Sequence, residues 1–217
     1  MQNLNKKNFI LIALLIFNAF LFSEEKLNID KYKNVLSEVE SILEENHFKK
    51  NVNIDTKAIK EKYINSIDSQ KMVFDAEDFD NFSKIEDLNK FSQIKFAFEV
   101  FEVFKEKSIK FLDLQRQSIT EINLESQLDT NDFIFKDRED EKRFKNLEEL
   151  SEYHLKEAKS ELISIYLKEK DLKKSKEKLL KRFVNREKSL NRISEDDIFS
   201  MYVNSFTSFY DPHTNYM

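Results

Sequence analysis

The chain has 217 residues and a formal net charge of −5, with no glycine, no cysteine and one proline. Without glycine it cannot form a Gly-rich phosphate loop, a dinucleotide fingerprint or a nucleophile elbow, because each needs a tight turn or a close backbone approach. Without cysteine it has no disulfide, thiolate metal site or acylated-cysteine anchor. Few residues suit hairpin turns, so the composition predicts an all-α fold of about five to seven helices with no substantial sheet.

The N-terminus carries an export pattern. Lys6–Lys7 precede Phe9–Phe22, a run of 14 residues that only one asparagine interrupts. As a helix this run would span roughly 21 Å, which is short of the roughly 30 Å core of a bilayer. We therefore predict a signal peptide over residues 1–23, cleaved after Ser23, and an exported protein. Leu21 is large for a cleavage site, so an uncleaved anchor is the alternative; membrane contact is expected only through this segment.

Charge argues against a nucleic-acid partner. Removing residues 1–23 takes away two lysines and no acid, which leaves a formal charge of −7. The basic clusters, of which Lys173–Arg182 is the densest, are interleaved with acids and are typical of a solvated helix face. The remaining length fits one helical domain over residues 24–209, and the chain's 21 phenylalanines can fill its core.

Apolar residues at intervals of three and four predict the first helices. One runs from about Ile29 to His47. Asp55 is the expected N-cap of the second, whose apolar stripe is Ile59, Tyr63, Ile64 and Ile67. A turn follows at residues 68–70, then an extended segment at Met72–Phe74. Asp75 is the expected cap of a short third helix that carries Phe79 and Phe82.

The longest helix is predicted next. Ser83 and Glu86 match a capping box at its start. Its apolar face comprises Phe91, Ile94, Phe98, Phe101 and Phe104 and continues to Phe111 and Leu112. Such a stripe is typical of a core rather than of a ligand pocket.

The second half begins with a polar connection at residues 123–132. Phe133–Phe135 are expected to pin it to the core, and Lys136–Lys145 to form a solvated linker or helix start. Two apolar stripes then predict two helices: Leu147, Leu150, His154, Ala158, Leu162 and Ile165; and Leu172, Leu179, Leu180, Phe183 and Leu190. Ser194 with Asp197 caps a final helix whose apolar face is Ile198, Met201, Tyr202, Phe206 and Phe209.

No catalytic residue emerges from serine and lysine spacing. Ser-x-x-Lys occurs at Ser23, Ser92 and Ser175. The abundance of both residue types gives roughly two to three such matches by chance, so these carry no information about a serine–lysine dyad.

No metal or cofactor site is predicted either. The three histidines, His47, His154 and His213, are far apart in sequence, so the usual helical metal pair is absent. Asp211, His213 and Tyr216 could meet at a metal, but capping by Asp211 with Pro212 in the first helical position is favoured. His154 is expected in or beside the core.

Several segments together resemble one known family. Asp211-Pro212-His213-Thr214-Asn215-Tyr216 is similar to the Asp-Pro-His-Thr/Ser-x-Tyr segment of the tail-specific proteases, the carboxyl-terminal-processing serine peptidases of the bacterial periplasm. Ser194–Ser200 resembles the helix start that precedes this segment in the family. His47-Phe48, Ile54-Asp55, Tyr63–Asp68 and Phe74–Phe82 resemble the opening of its N-terminal helical domain.

The resemblance implies a fragment of a protease. Such enzymes recognise apolar C-termini of protein substrates through a PDZ domain and cleave with a serine–lysine dyad, and both elements are expected beyond Met217. Residues 210–217 would begin the connection to them, and the helical domain would frame the substrate chamber and contact an adaptor protein. No catalytic residue of the family maps onto this chain, so the chain alone is expected to be inactive. The alternatives are a freestanding secreted adaptor or scaffold and, more distantly, a metal-dependent or other hydrolase.

Overall fold

The computed structural model describes residues 28–46, 55–85, 89–122, 133–211 and 216. Within these ranges the chain forms seven α-helices and no strand. They are α1 (Ile29–Asn46), α2 (Thr56–Ile67), α3 (Ala76–Ser83), α4 (Lys90–Glu121), α5 (Leu147–Glu169), α6 (Leu172–Leu190) and α7 (Glu195–Thr207). The predicted all-α class is confirmed. Residues 1–23 and 123–132, for which a signal peptide and a polar connection are predicted, lie outside the described residues.

Short polar side chains fix where the helices begin. The caps predicted at Asp55, Asp75 and Ser194 are confirmed, the last two as full capping boxes. The box predicted at Ser83 is wrong, because Ser83 is the buried last residue of α3. Asn89 caps α4 instead, by accepting a hydrogen bond from the Ser92 N–H. Ser83 and Asn89 are both suitable N-cap residues, and the local sequence alone does not distinguish between them.

The larger core joins helices from the beginning and the end of the described part of the chain. It lies among α1, α2, the first half of α4 and α7, with α3 at its edge. Its most buried side chains include Tyr63, Phe74, Ile94, Phe101 and Tyr202. The predicted core positions Phe98 and Phe101 are confirmed.

A second core is a bundle of three helices. The last half of α4 packs there against α5 and α6, around Leu112, Ile119, Leu162, Leu179 and Phe183. At 32 residues α4 is roughly 48 Å long, so it spans both cores. No helix in the described part of the chain is long and apolar enough to cross a membrane.

Two predicted core positions are exposed. Phe91 is 47% exposed and Leu147 is 51% exposed. Each lies in the first turn of its helix, ahead of the point where the apolar stripe meets a neighbouring helix. The spacing of apolar residues shows which face of the helix a residue lies on. It does not show whether a neighbouring helix extends far enough to cover that residue.

The segment before α5 also differs from its prediction. Its aromatics do not pin it to the core, since Phe133 is 85% exposed and Phe135 is 55% exposed. Its charged run is not simply solvated, since Arg138 is 5% exposed. The Arg138 guanidinium lies 4.1 Å from the ring centroid of Phe144 and 4.8 Å from that of Tyr153. Arginines therefore anchor this segment in place of the phenylalanines.

A buried ion pair ties the same segment to the turn after α2. The Asp68 carboxylate accepts hydrogen bonds from the backbone N–H groups of Met72, Val73 and Phe74, at 2.8, 3.1 and 3.0 Å. The Arg143 guanidinium donates to that carboxylate and, at 3.1 Å, to the Phe74 carbonyl. Two segments that are distant in sequence are thus held together as one unit.

Candidate functional site

The segment after α7 is the first candidate site, because it carries the Asp-Pro-His motif. The Asp211 backbone N–H donates to the Thr207 carbonyl at 3.3 Å, and Tyr210 is 5% exposed against the larger core. Pro212, His213, Thr214 and Asn215 lie outside the described residues, so capping of a further helix by Asp211 stays a prediction. Tyr216, the last motif residue, is described.

Asn204 on α7 holds Tyr216 through its backbone. The Tyr216 N–H donates to Asn204 Oδ1 at 2.6 Å, and Asn204 Nδ2 donates to the Tyr216 carbonyl at 3.2 Å. The Tyr216 ring meets the ring of Phe199 edge-on, with 5.7 Å between centroids. We call this pairing the Asn204 clasp. It holds Tyr216 on α7 with backbone bonds that any residue except proline could make at position 216.

A groove runs beside the clasp, between α1 and the end of α7. Its volume is about 510 Å³, and most of its lining is apolar: Val35, Glu38, Val39, Ile42, Leu43, Thr207 and Tyr216. Ile42 is 52% exposed there. The motif residue Tyr216 thus forms one wall of an apolar surface.

A larger cleft of about 880 Å³ lies where the two cores meet. His154 sits in its floor, with its ring stacked on that of Phe111 at 4.1 Å between centroids. The His154 Nε2 lies 2.7 Å from the Met72 carbonyl, which requires it to carry the proton and donate. Gln115 Nε2 lies 3.3 Å from His154 Nδ1 and donates to Glu157 at 3.2 Å.

Electrostatics at this cleft centre on Glu157. Burial raises the pKa of its carboxyl, but the hydrogen bond and the charge of His154 act in the opposite direction. The charge of Arg186 and a hydrogen bond from Gln115 also lower this pKa. Together these effects exceed the effect of burial, so the pKa of Glu157 lies below its ordinary value of 4.5. The carboxylate is therefore ionised at neutral pH and forms part of a polar network that joins α4 to α5.

The cleft lacks an activated nucleophile. Two serines line it, and each donates its hydroxyl to a carbonyl of its own helix: Ser108 to Phe104 at 2.7 Å and Ser189 to Asn185 at 3.0 Å. Covalent catalysis needs the hydroxyl bonded to a base instead. The predicted core placement of His154 is confirmed, at 7% exposed.

The serine–lysine matches that are described do not form dyads. Ser175 is fully buried and donates to the Asp171 carbonyl at 2.6 Å, while Lys178 pairs with Glu169. Lys95 pairs with Glu99 at 3.3 Å, and the Ser92 hydroxyl donates to Asn89 Oδ1 at 3.3 Å. Ser23, His47 and His213 lie outside the described residues. Within the described ranges no group of three or more histidine or acidic side chains could hold a metal ion.

Sequence reasoning missed the residues that organise these sites. Asn204 was assigned no role, and Arg143 was placed in a solvated run, yet both make bonds that position the surrounding segments. Their partners are separated from them by 12 and 75 residues.

Comparison with known families decides the relationship. Residues 39–217 match the family described as the tail specific protease N-terminal domain. The chain belongs to this family. The tail-specific protease of Haemophilus influenzae is 24% identical over 183 residues, which cover 81% of this chain and 26% of that protein.

The tail-specific protease N-terminal domain thus takes in all the helices from the second half of α1 onward, together with the motif segment. The chain spans about a quarter of the length of the relative that it matches. Both the cleft and the Asn204 clasp lie inside the matched region.

Proposed function

We propose that this chain is the N-terminal helical domain of a periplasmic serine protease that degrades or processes proteins from apolar C-termini. The observation that carries the proposal is the family match over residues 39–217, combined with a named protease relative of which the chain covers only 26%. Substrate recognition by a PDZ domain and cleavage by a serine–lysine dyad would reside in sequence after Met217.

The role proposed for the helical domain is positional rather than catalytic. The two serines that line the cleft, Ser108 and Ser189, and the buried Ser175 donate their hydroxyls to backbone carbonyls rather than to a base, so none of the three is an activated nucleophile. The Asn204 clasp and the buried Tyr210 instead fix the direction in which the chain leaves α7. A following PDZ and protease region would then be held in a set orientation to the helices.

The proposed location rests on the N-terminal sequence. Lys6–Lys7 and the apolar run Phe9–Phe22 would direct export, leaving a mature N-terminus near Glu24. N-terminal sequencing of the protein from the periplasmic fraction checks this. Recovery from the cytosol with Met1 intact would contradict export, and recovery with Met1 from the membrane would favour the uncleaved anchor.

The experiment that tests this function compares the 217-residue chain with a longer form of the protein on two matched substrates. The substrate is an unfolded protein that ends in apolar residues, and its matched control ends in acidic residues. We expect the 217-residue chain to cleave neither, and the protein extended through its downstream coding sequence to cleave only the apolar-ended substrate. Turnover by the 217-residue chain that disappears when Ser92 and Ser175 are both changed to alanine would overturn the positional role.

A further inference from the structure

Helix α6 carries a charge opposite to that of the whole chain. Its 19 residues include eight basic and two acidic side chains, a formal charge of +6, whereas the chain carries −5. Within the basic cluster Lys173–Arg182, Glu177 is the one interleaved acid, and Glu187 follows it later in the helix. The helix contributes its apolar side, Leu179 and Phe183, to the smaller core, so its basic side faces outward.

The outward side is a row of lysines. Lys174, Lys181 and Lys188 are all exposed and follow at intervals of seven residues, which places them on one line about 21 Å long. Lys173 and Lys178 are exposed beside this line. We call these five residues the lysine row.

The charge of the row is only partly neutralised. Lys174 lies 3.3 Å from Glu169, and Lys178 pairs with the same carboxylate. Lys173, Lys181 and Lys188 have no acidic partner within the part of the chain that the structure describes. These three side chains are exposed on the outward side of α6, so they form a positively charged strip that is open to solvent.

We propose that the lysine row is a docking surface for a membrane that contains anionic lipid headgroups. A lysine ammonium is a point charge without the planar fork with which arginine recognises individual carboxylates or phosphates, so a row of lysines suits diffuse attraction to a charged plane. The arginines of α6 are already occupied: Arg186 pairs with Glu161 at 2.7 Å, and Arg182 lies 3.9 Å from it.

One end of the row is linked to the helix that follows the apolar N-terminal run. The α6–α7 link brings the C-terminal end of α6 to the start of α7, where Asp196 pairs with Lys31 at 2.6 Å in the first turn of α1. The C-terminal end of the row, at Lys188, is therefore the end that is linked to the start of α1. The apolar run Phe9–Phe22 precedes α1 in sequence, so a chain that retains this run would carry that end of the row towards a bilayer.

The test is a vesicle co-sedimentation assay on the full chain. The vesicles contain equal parts of phosphatidylglycerol and phosphatidylcholine, or phosphatidylcholine alone, at low and at physiological ionic strength. Because Phe9–Phe22 can insert into both kinds, the quantity measured is the ratio of the two binding constants. The variant carries Lys173→Gln, Lys181→Gln and Lys188→Gln. Its matched control carries Lys33→Gln, Lys110→Gln and Lys136→Gln, three exposed lysines on other elements with the same total charge change.

Each lysine near an anionic surface contributes roughly a fivefold gain in affinity. We expect the wild-type chain to prefer the anionic vesicles, and this preference to shrink at the higher ionic strength. The row variant should lose at least about tenfold of the preference and the control variant less than about threefold.

The proposal is overturned if the wild-type chain shows no preference for anionic vesicles. Equal losses in the two triple variants would also overturn it, since net charge rather than the row would then set binding. Wild-type binding to an acidic protein or to nucleic acid, without binding to the anionic vesicles, would assign the row to that other partner. Circular dichroism of all three proteins establishes that the substitutions leave the helices intact.

Discussion

Replacing Arg143 with methionine tests whether a buried ion pair holds the segment before α5 against the turn after α2. The side chains of Arg143 and Asp68 are 7% and 2% exposed. Removing one partner of a buried pair costs about 3–5 kcal/mol, because the other charge stays in the interior. The Asp68 carboxylate keeps its three backbone N–H donors in this variant, so we expect the lower end of that range, about 3 kcal/mol.

The assay is urea unfolding followed by circular dichroism at neutral pH. A loss of this size corresponds to a drop in Tm of roughly 6–12 °C for a chain of this length. Arg192→Met is the matched control, since Arg192 is exposed, and it should change the free energy of unfolding by less than about 0.5 kcal/mol.

A double-mutant cycle with Asp68→Asn separates the pair from general damage. Each single variant leaves its partner unpaired, so the double variant should cost less than the sum of the two single variants. The reasoning fails if Arg143→Met costs less than about 1 kcal/mol, or if the two losses simply add.

Three further predictions concern single side chains. Phe101→Ala should lower the free energy of unfolding by about 3–5 kcal/mol in urea titration, whereas Phe91→Ala, at an exposed position, should cost less than about 1 kcal/mol; equal losses would contradict the assigned core face. Ser194→Ala should cost about 1 kcal/mol in the same titration, because it removes the capping box of α7, and an unchanged midpoint would contradict that role. The pKa of Glu157 is lowered in the fold, so its stabilisation is present above about pH 4.5 and is lost as the pH falls through the lower folded value; unfolding titrations from about pH 6 to about pH 3 should therefore show a smaller loss in Glu157→Gln than in wild type, and parallel curves would rule this out.

Much of the fold follows from local rules. Apolar residues that recur every three and four positions predict helices α1, α2, α5 and α7. Short polar residues before the helices predict most of their N-termini. The wrong predictions arise where the local sequence pattern fits more than one structure. Ser83 and Asn89 both suit a helix start, and Phe91 continues a periodic face beyond its neighbours, so packing decides both.

The residues of the candidate sites are harder to predict from the sequence, because they depend on contacts between segments that are far apart in the chain. Arg143 looks like one charge in a solvated run until the turn after α2 brings Asp68 to it. The Asn204 clasp likewise uses a common polar residue on a helix surface, and its partner is a backbone, which leaves no trace in side-chain pattern. By contrast, the motif from Asp211 to Tyr216 identifies its family directly, because that information is local.

The size of the protein in its cells tests the central proposal most directly. An antibody raised against this chain would be used to blot the soluble and membrane fractions of the cells that produce the protein. If the chain is the N-terminal domain of a longer protease, the antibody should detect a protein much heavier than the 26.1 kDa of this chain, in keeping with a relative of which the chain covers only 26%. A single band at or slightly below 26.1 kDa would contradict the proposal and favour a freestanding helical adaptor.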